Sequence, residues 1–197
     1  MKWERAIFQN HTNNSFEAVA LEVFNYQAKN NKVYKNYLKL LNFNPNNVKK
    51  LGHIPFLPIE FFKHQDVVCK SNNIDAIFTS SGTSGSQSKH IVNDLSIYEN
   101  SFTSGFEYFY GNVMDYTILA LLPSYIERSG SSLIYMCEKF MKHSGKKENG
   151  FYLNEHQELS NLLLELERQN RKTLLIGVSY ALLDFVEKHP VKLKNTI

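Results

Sequence analysis

Eleven consecutive residues, Thr79 to Lys89, hold seven hydroxyl side chains, two glycines and one lysine, the densest set of anion-binding groups in the sequence. Gly82 and Gly85 let backbone amides converge on an anion, the hydroxyls of Thr79, Ser80, Ser81, Thr83 and Ser84 add donors, and Lys89 adds a full positive charge. A polyphosphate needs that combination. The phosphate loop of nucleotide triphosphatases, GxxxxGK[ST], does not fit, because Ser88 precedes Lys89 and His90 follows it. A dinucleotide GxGxxG is absent, since no further glycine stands near Gly82 and Gly85, and no GxSxG nucleophile elbow occurs here. Composition alone also allows a Ser/Gly linker. The β-forming residues Ile77-Phe78 before the run and Ile91-Val92 after it favour a loop within a sheet.

The surrounding elements follow from hydrophobic periodicity. Strands are expected at Asp75–Phe78, Thr117–Leu122 and Thr173–Val178, and helices at Leu95–Tyr110, Ser131–Lys142, Glu155–Gln169 and Ser179–His189. Their alternation predicts an α/β fold with a mainly parallel sheet flanked by helices. Asp94 and Asn154 are the expected N-caps, Gly111 and Gly145 the expected C-terminal stops. Upstream, Phe16, Val19, Ala20, Val23 and Phe24 repeat at helical spacing behind a capping Ser15. Val33, Tyr34, Tyr37, Leu38 and Leu41 repeat the pattern after Asn30-Asn31, and Asn44-Pro45-Asn46 turns the chain. The expected division is a helical N-terminal segment, residues 1–50, and an α/β nucleotide-binding subdomain, residues 51–197. In Ile54–Phe62, Pro55 and Pro58 exclude a regular helix across the pair, leaving an extended apolar connector that either packs in the core or walls a pocket. Val191–Ile197 reads as the approach to another strand.

Composition narrows the function classes. The 22 basic and 19 acidic residues leave a net charge of +3, too little for the concentrated positive field that nucleic-acid binding requires. Cys69 and Cys137 stand far apart with no CxxC spacing, so neither a disulfide framework nor a zinc site is indicated, and the expected compartment is the cytoplasm. No apolar run reaches the ~18 residues needed to span a bilayer. Cys137, within a helical apolar pattern, reads as a small buried hydrophobe. His90 either touches an anion or is a surface group opening a strand.

The order Thr-Ser-Ser-Gly-Thr-Ser-Gly followed by Lys89 resembles the TSGTTGxPKG signature of the adenylate-forming superfamily, which includes acyl-CoA synthetases and luciferases. Gln87 and Ser88 stand where that signature has proline before its lysine, and His90 replaces the glycine after it. With these departures the loop is similar to the SSGTSGxxSKH-like loops of the acyl-protein synthetases, the LuxE type known from bacterial luminescence. Three further segments resemble that family: Ile54–Ile59 with Phe61-Phe62-Lys63, Leu121–Arg128 through Ser131-Ser132-Leu133, and Ile176–Asp184.

The resemblance implies an ATP-dependent, Mg2+-assisted carboxylate-activating ligase. A fatty acid attacks the α-phosphate of ATP, pyrophosphate leaves, and the acyl-adenylate passes its acyl group to a protein cysteine, with an acyl reductase as a possible acceptor partner. Thr79, Ser80, Ser81, Gly82, Thr83, Ser84 and Gly85 would hold the β- and γ-phosphates and Lys89 would neutralise the departing pyrophosphate. Ser124, Tyr125 and Arg128, after one strand, would line the substrate cleft; the alternative is a polar loop. Gly177 and Ser179, after another, would lie beside acyl chain or adenine; the alternative for Ser179 is a helix N-cap. The family's acceptor cysteine belongs to a distal part of the chain, as do the residues for adenine, ribose and α-phosphate, so the resemblance implies an N-terminal portion of a longer protein, or a shortened gene product, expected to be inactive alone. A nucleotide-binding module without enzymatic activity is the alternative from another class, and a serine acyltransferase lacks a recognisable His/Asp constellation.

Overall fold

Apolar residues at helical spacing fold the N-terminal stretch into α1 (Asn13–Asn30) and α2 (Lys32–Leu40) in the computed structural model, which describes residues 6–9, 13–70, 73–80, 87–123 and 129–197. Buried Asn31 divides the two helices: its Oδ1 accepts the Tyr34 N–H at 3.1 Å and its amide donates to Gln27 Oε1 at 3.2 Å, which caps α2. Ser15, expected to cap the first helix, lies inside it. The polar residues ahead of Phe16 join the first turn, where N–H groups have no intrahelical partner to lose. Phe24, Ala28, Tyr34, Leu38 and Val48 form the core between these helices and the segment that follows.

The proline-containing connector carries no regular structure from Ile54 to Pro58 and then closes one short helix, α3 (Phe61–His64). Tyr34 fixes it, its hydroxyl donating to the Pro55 carbonyl at 2.8 Å, and burial pushes the phenol up to about 12. Next, β1 (Ala76–Thr79) and β2 (Lys89–Val92) pair antiparallel as a two-stranded sheet. The connection between them is too short for the crossover of ~12 or more residues that parallel pairing needs.

Downstream the fold is the expected α/β arrangement. After α4 (Leu95–Tyr110), the strands β3 (Thr117–Leu121), β4 (Gly150–Phe151) and β5 (Thr173–Gly177) form a parallel sheet in the order β4-β3-β5. The crossovers are α5 (Ser132–Ser144) and α6 (His156–Arg168), and α7 (Ser179–Lys188) follows β5. Every residue of β3 is buried, and its alternation assigns the two faces. Leu119 and Leu121 pack with Leu159, Leu163 and Leu166 of α6 and Ala181 and Phe185 of α7. Ile118 packs with Phe106 of α4 and Phe140 of α5, and Ala120 with Ile134 and Cys137 of α5.

Helix ends explain where these elements stop. Ser131 caps α5 by accepting the Ile134 N–H, and Gly145 ends it at a φ of 62°, a left-handed conformation that favours glycine. Gly111, at a φ of 85°, follows α4, and Asp94 accepts the Ser96 N–H at 2.9 Å ahead of it. Asn154 does not cap α6. Glu155 holds the cap position without a side-chain bond, and its carboxylate turns back to accept the Asn154 N–H at 3.1 Å. Ser179 is likewise the first helical residue of α7, with Val178 at the cap.

The last residues do add to the sheet. Asn195 and Ile197 carbonyls each accept from β5, from the Thr173 and Leu175 N–H groups at 2.9 Å, and the Ile197 N–H donates to the Thr173 carbonyl at 3.0 Å. Glu167 on α6 anchors this segment, accepting the N–H groups of Lys194 at 3.0 Å and Asn195 at 2.8 Å and the Thr196 hydroxyl at 3.1 Å. The chain divides into two compact units, Met1–Ser101 and Phe102–Ile197. Among the described residues no helix is long and apolar enough to cross a membrane.

Candidate phosphate-binding hairpin

The register of β1 and β2 determines what the hairpin presents. Thr79 pairs with Lys89, Phe78 with His90, and Ile77 with Ile91. Directly opposed residues share a face, so Thr79, Lys89, Ile77 and Ile91 lie on one side and Phe78 and His90 on the other. Thr79 and Lys89 are the last ladder pair before the loop, with their Cβ atoms roughly 5 Å apart by the geometry of such pairs. Lys89 is exposed, and no carboxylate pairs with it among the described residues. An exposed, unpaired ammonium beside a threonine hydroxyl is a place where an anion gains charge-assisted hydrogen bonds.

The neck of the loop is closed just beyond that pair. The Ser80 N–H donates to the Ser88 carbonyl at 3.1 Å, and the Ser88 N–H donates to Ser80 Oγ at 3.0 Å. Ser80, expected as a phosphate donor, therefore already uses its oxygen as an acceptor, and its own O–H is the group left to donate. The other end of the hairpin is tied by Asp75, whose N–H donates to the Val92 carbonyl at 2.9 Å and whose Oδ2 accepts the Leu95 N–H at 3.0 Å. Asp94 lies two residues beyond Val92, and hydrogen bonds from the Ser96 side chain and backbone hold its carboxyl below the ordinary value.

On the opposite face Phe78 is buried and His90 is exposed, and each has an aromatic neighbour. The Phe78 and Tyr98 rings lie 5.3 Å apart, and the Phe62 and His90 rings 5.9 Å apart at 59°. His90 is thus in aromatic contact rather than beside Lys89 on the open face. The sequence leaves that histidine undecided and offers the connector carrying Phe62 only as core packing or a pocket wall, with nothing that singles out Phe62 as the neighbour of His90.

The other expected site residues divide between the two units. Ser124, Tyr125 and Arg128 fall outside the described residues, as do Ser81, Gly82, Thr83, Ser84 and Gly85. Gly177 ends β5 opposite Leu121, and a Cβ built there would meet Leu182 Cγ at 2.9 Å and Leu121 Cβ at 3.2 Å. Close packing of α7 on the sheet is what requires a glycine at that position. Ser179 is exposed at the start of α7, at the C-terminal end of the parallel strands. Cys137 is fully buried, and burial pushes its thiol up to about 12, so it is a packing group. A groove on α6 lined by Asn161, Leu164, Glu165, Arg168 and Gln169 includes none of the expected site residues.

The profile of the family described as acyl-protein synthetase, LuxE, matches residues 6–121. The match takes in the N-terminal helices, the proline connector and the hairpin, and runs to the end of β3; the resembling segment at Ile176–Asp184 lies beyond it. No curated protein and no solved structure matches. A match over more than half of the 197 residues, spanning the hydroxyl-rich loop and Lys89, makes this chain a member of the LuxE acyl-protein synthetase family.

Proposed function

We propose that this chain serves the ATP-dependent activation of a fatty acid or related carboxylic acid as an acyl-adenylate, for transfer to a protein cysteine thiol. A carboxylate oxygen attacks the α-phosphorus of ATP, the bond to pyrophosphate breaks, and acyl-AMP forms. A cysteine thiolate then attacks the acyl carbon and AMP leaves, giving a thioester on an acceptor protein such as an acyl reductase. A cytoplasmic setting, where ATP is available and thiols stay reduced, goes with this chemistry.

The observation that carries the reading is the Thr79–Lys89 pair at the open end of a closed hairpin neck, with Lys89 exposed and without a carboxylate partner among the described residues. Lys89 would neutralise charge on the β- and γ-phosphates as pyrophosphate departs. Thr79, Ser80, Ser81, Thr83 and Ser84 would donate hydroxyls, and Gly82 and Gly85 backbone amides. Mg2+ would enter on the triphosphate oxygens. The acid is assigned to Ser124, Tyr125 and Arg128 after β3 and to Gly177 and Ser179 after β5, since parallel sheets collect ligands beyond the carboxyl ends of their strands.

Calorimetric titration of the chain with ATP and Mg2+ tests the phosphate half of this reading. Saturable binding that Lys89→Ala weakens is the expected result; equal binding by wild type and variant removes Lys89 from the site. ATP binding without acid-dependent chemistry, even in a chain extended past Ile197, would make the protein a nucleotide-binding module instead.

A further inference from the structure

Adjacent phenylalanines on α3 serve two different parts of the first unit. Phe61 turns toward the helical pair, its ring 5.7 Å from Tyr37 and edge-on at 72°. Tyr37 in turn stacks on Tyr34, 6.3 Å away, whose hydroxyl holds the Pro55 carbonyl at 2.8 Å. The connector is therefore anchored to α2 at both of its ends, at Pro55 and at Phe61. Phe62 turns to the hairpin and meets the His90 ring at 5.9 Å, within the range where aromatic pairs attract, and α3 packs along β2. Both phenylalanines are half-buried.

His90 is the residue immediately after Lys89 and points to the opposite face of β2. Holding its ring fixes the strand backbone at the position from which the lysine leaves. Phe78, cross-strand from His90, is held on the same face by Tyr98 at 5.3 Å. On the Lys89 face the flanking pair is exposed Ile77 and half-buried Ile91, whereas on the other face exposed His90 lies against the half-buried Phe62 ring and Phe78 is buried, so the aromatic face is the one with packed neighbours.

We propose that Phe62 is a positioning residue for Lys89. Acting through His90, it sets the place of the ammonium relative to Thr79 and the loop, and couples the N-terminal helices to the phosphate-binding end of the hairpin. This rests on the phosphate reading of Lys89. It explains why a connector without regular structure ends in one tight helical turn: that turn directs two consecutive rings to opposite neighbours.

The test compares Phe62→Leu, Phe62→Tyr and Phe61→Leu for ATP affinity in the presence of Mg2+ and for thermal midpoint. Phe61→Leu removes another half-buried ring, one that reaches Tyr37, so it reports what loss of packing alone does. The expectation is that Phe62→Leu weakens ATP binding about five- to tenfold, an effect of the size of a lost aromatic pair, while Phe62→Tyr restores it and Phe61→Leu changes it by less than about twofold. Should Phe62→Leu fail to fold, Phe62→Met takes its place with the same expectation. An affinity unchanged by Phe62→Leu, or lowered equally by Phe61→Leu, overturns the inference and leaves the phosphate reading standing. A wild-type chain that takes up no ATP overturns both.

Discussion

In the proposed site Lys89 is exposed and carries no partner carboxylate among the described residues, so binding an anion would break no ion pair with any of them. Replacing it by alanine should lower ATP affinity by about 10- to 100-fold, the cost of losing one charged hydrogen-bond donor. The thermal midpoint should stay near wild type, since exposed positions contribute little to stability, about 0.5 kcal/mol or less. Calorimetry and a melting curve on the same sample check both halves. Gly177 behaves in the opposite way. A Cβ there meets Leu182 Cγ at 2.9 Å, so Gly177→Ala should destabilise the protein by about 1–3 kcal/mol through overpacking. Urea unfolding measures this, and adding Leu182→Ala should cost less than the sum of the two single changes, because the second makes room for the first. Additive losses would show that packing against Leu182 is not why a glycine stands at 177.

At the scale of elements, the segment at Asn195–Ile197 stays beside β5 through backbone bonds and through the Glu167 carboxylate. Hydrogen bonds from the Lys194 and Asn195 N–H groups, with those from the Thr196 and Asn195 side chains, hold that carboxyl below its ordinary value of 4.5. A depressed folded-state value means that this contribution to stability is present above pH 4.5 and lost as the pH falls through the folded-state value. Glu167→Gln should therefore be less stable than wild type at neutral pH, and the gap should shrink as the pH drops below 4.5. Unfolding curves across that range read it, and a gap that does not change with pH would remove the ionised carboxylate from the contact. The elements themselves were largely legible: the short apolar or β-branched run at Thr117–Leu121, too short for a typical helix, fits a strand buried on both faces, and the Leu95–Tyr110 helix has the limits its periodicity predicts. The helix starts were less so. Asn154 and Glu155 can both occupy a cap position, and one turn of side-chain geometry decides between them.

For the whole molecule, the sequence revealed which chemistry to look for but not how the groups that perform it are held. Seven hydroxyls, two glycines and a lysine in eleven residues match what an anion site needs, and the β-forming residues on both sides favour that over a Ser/Gly linker. That Thr79 and Lys89 sit side by side depends on the register: the short connection demands antiparallel pairing, but two four-residue strands have no pattern that decides which of their residues pair. Phe62 was invisible as a support because its contact to His90 joins residues far apart in sequence, and periodicity reports only which face a residue shares with its near neighbours. The family match extends across the helices, connector and hairpin that make these contacts. The most direct measurement of the central claim is ATP–pyrophosphate exchange with Mg2+ and a series of straight-chain fatty acids, run on this chain and on one extended past Ile197. Exchange that requires the acid and is lost with Lys89→Ala is the predicted result; an extended chain that shows no acid-dependent exchange would contradict carboxylate activation by this protein.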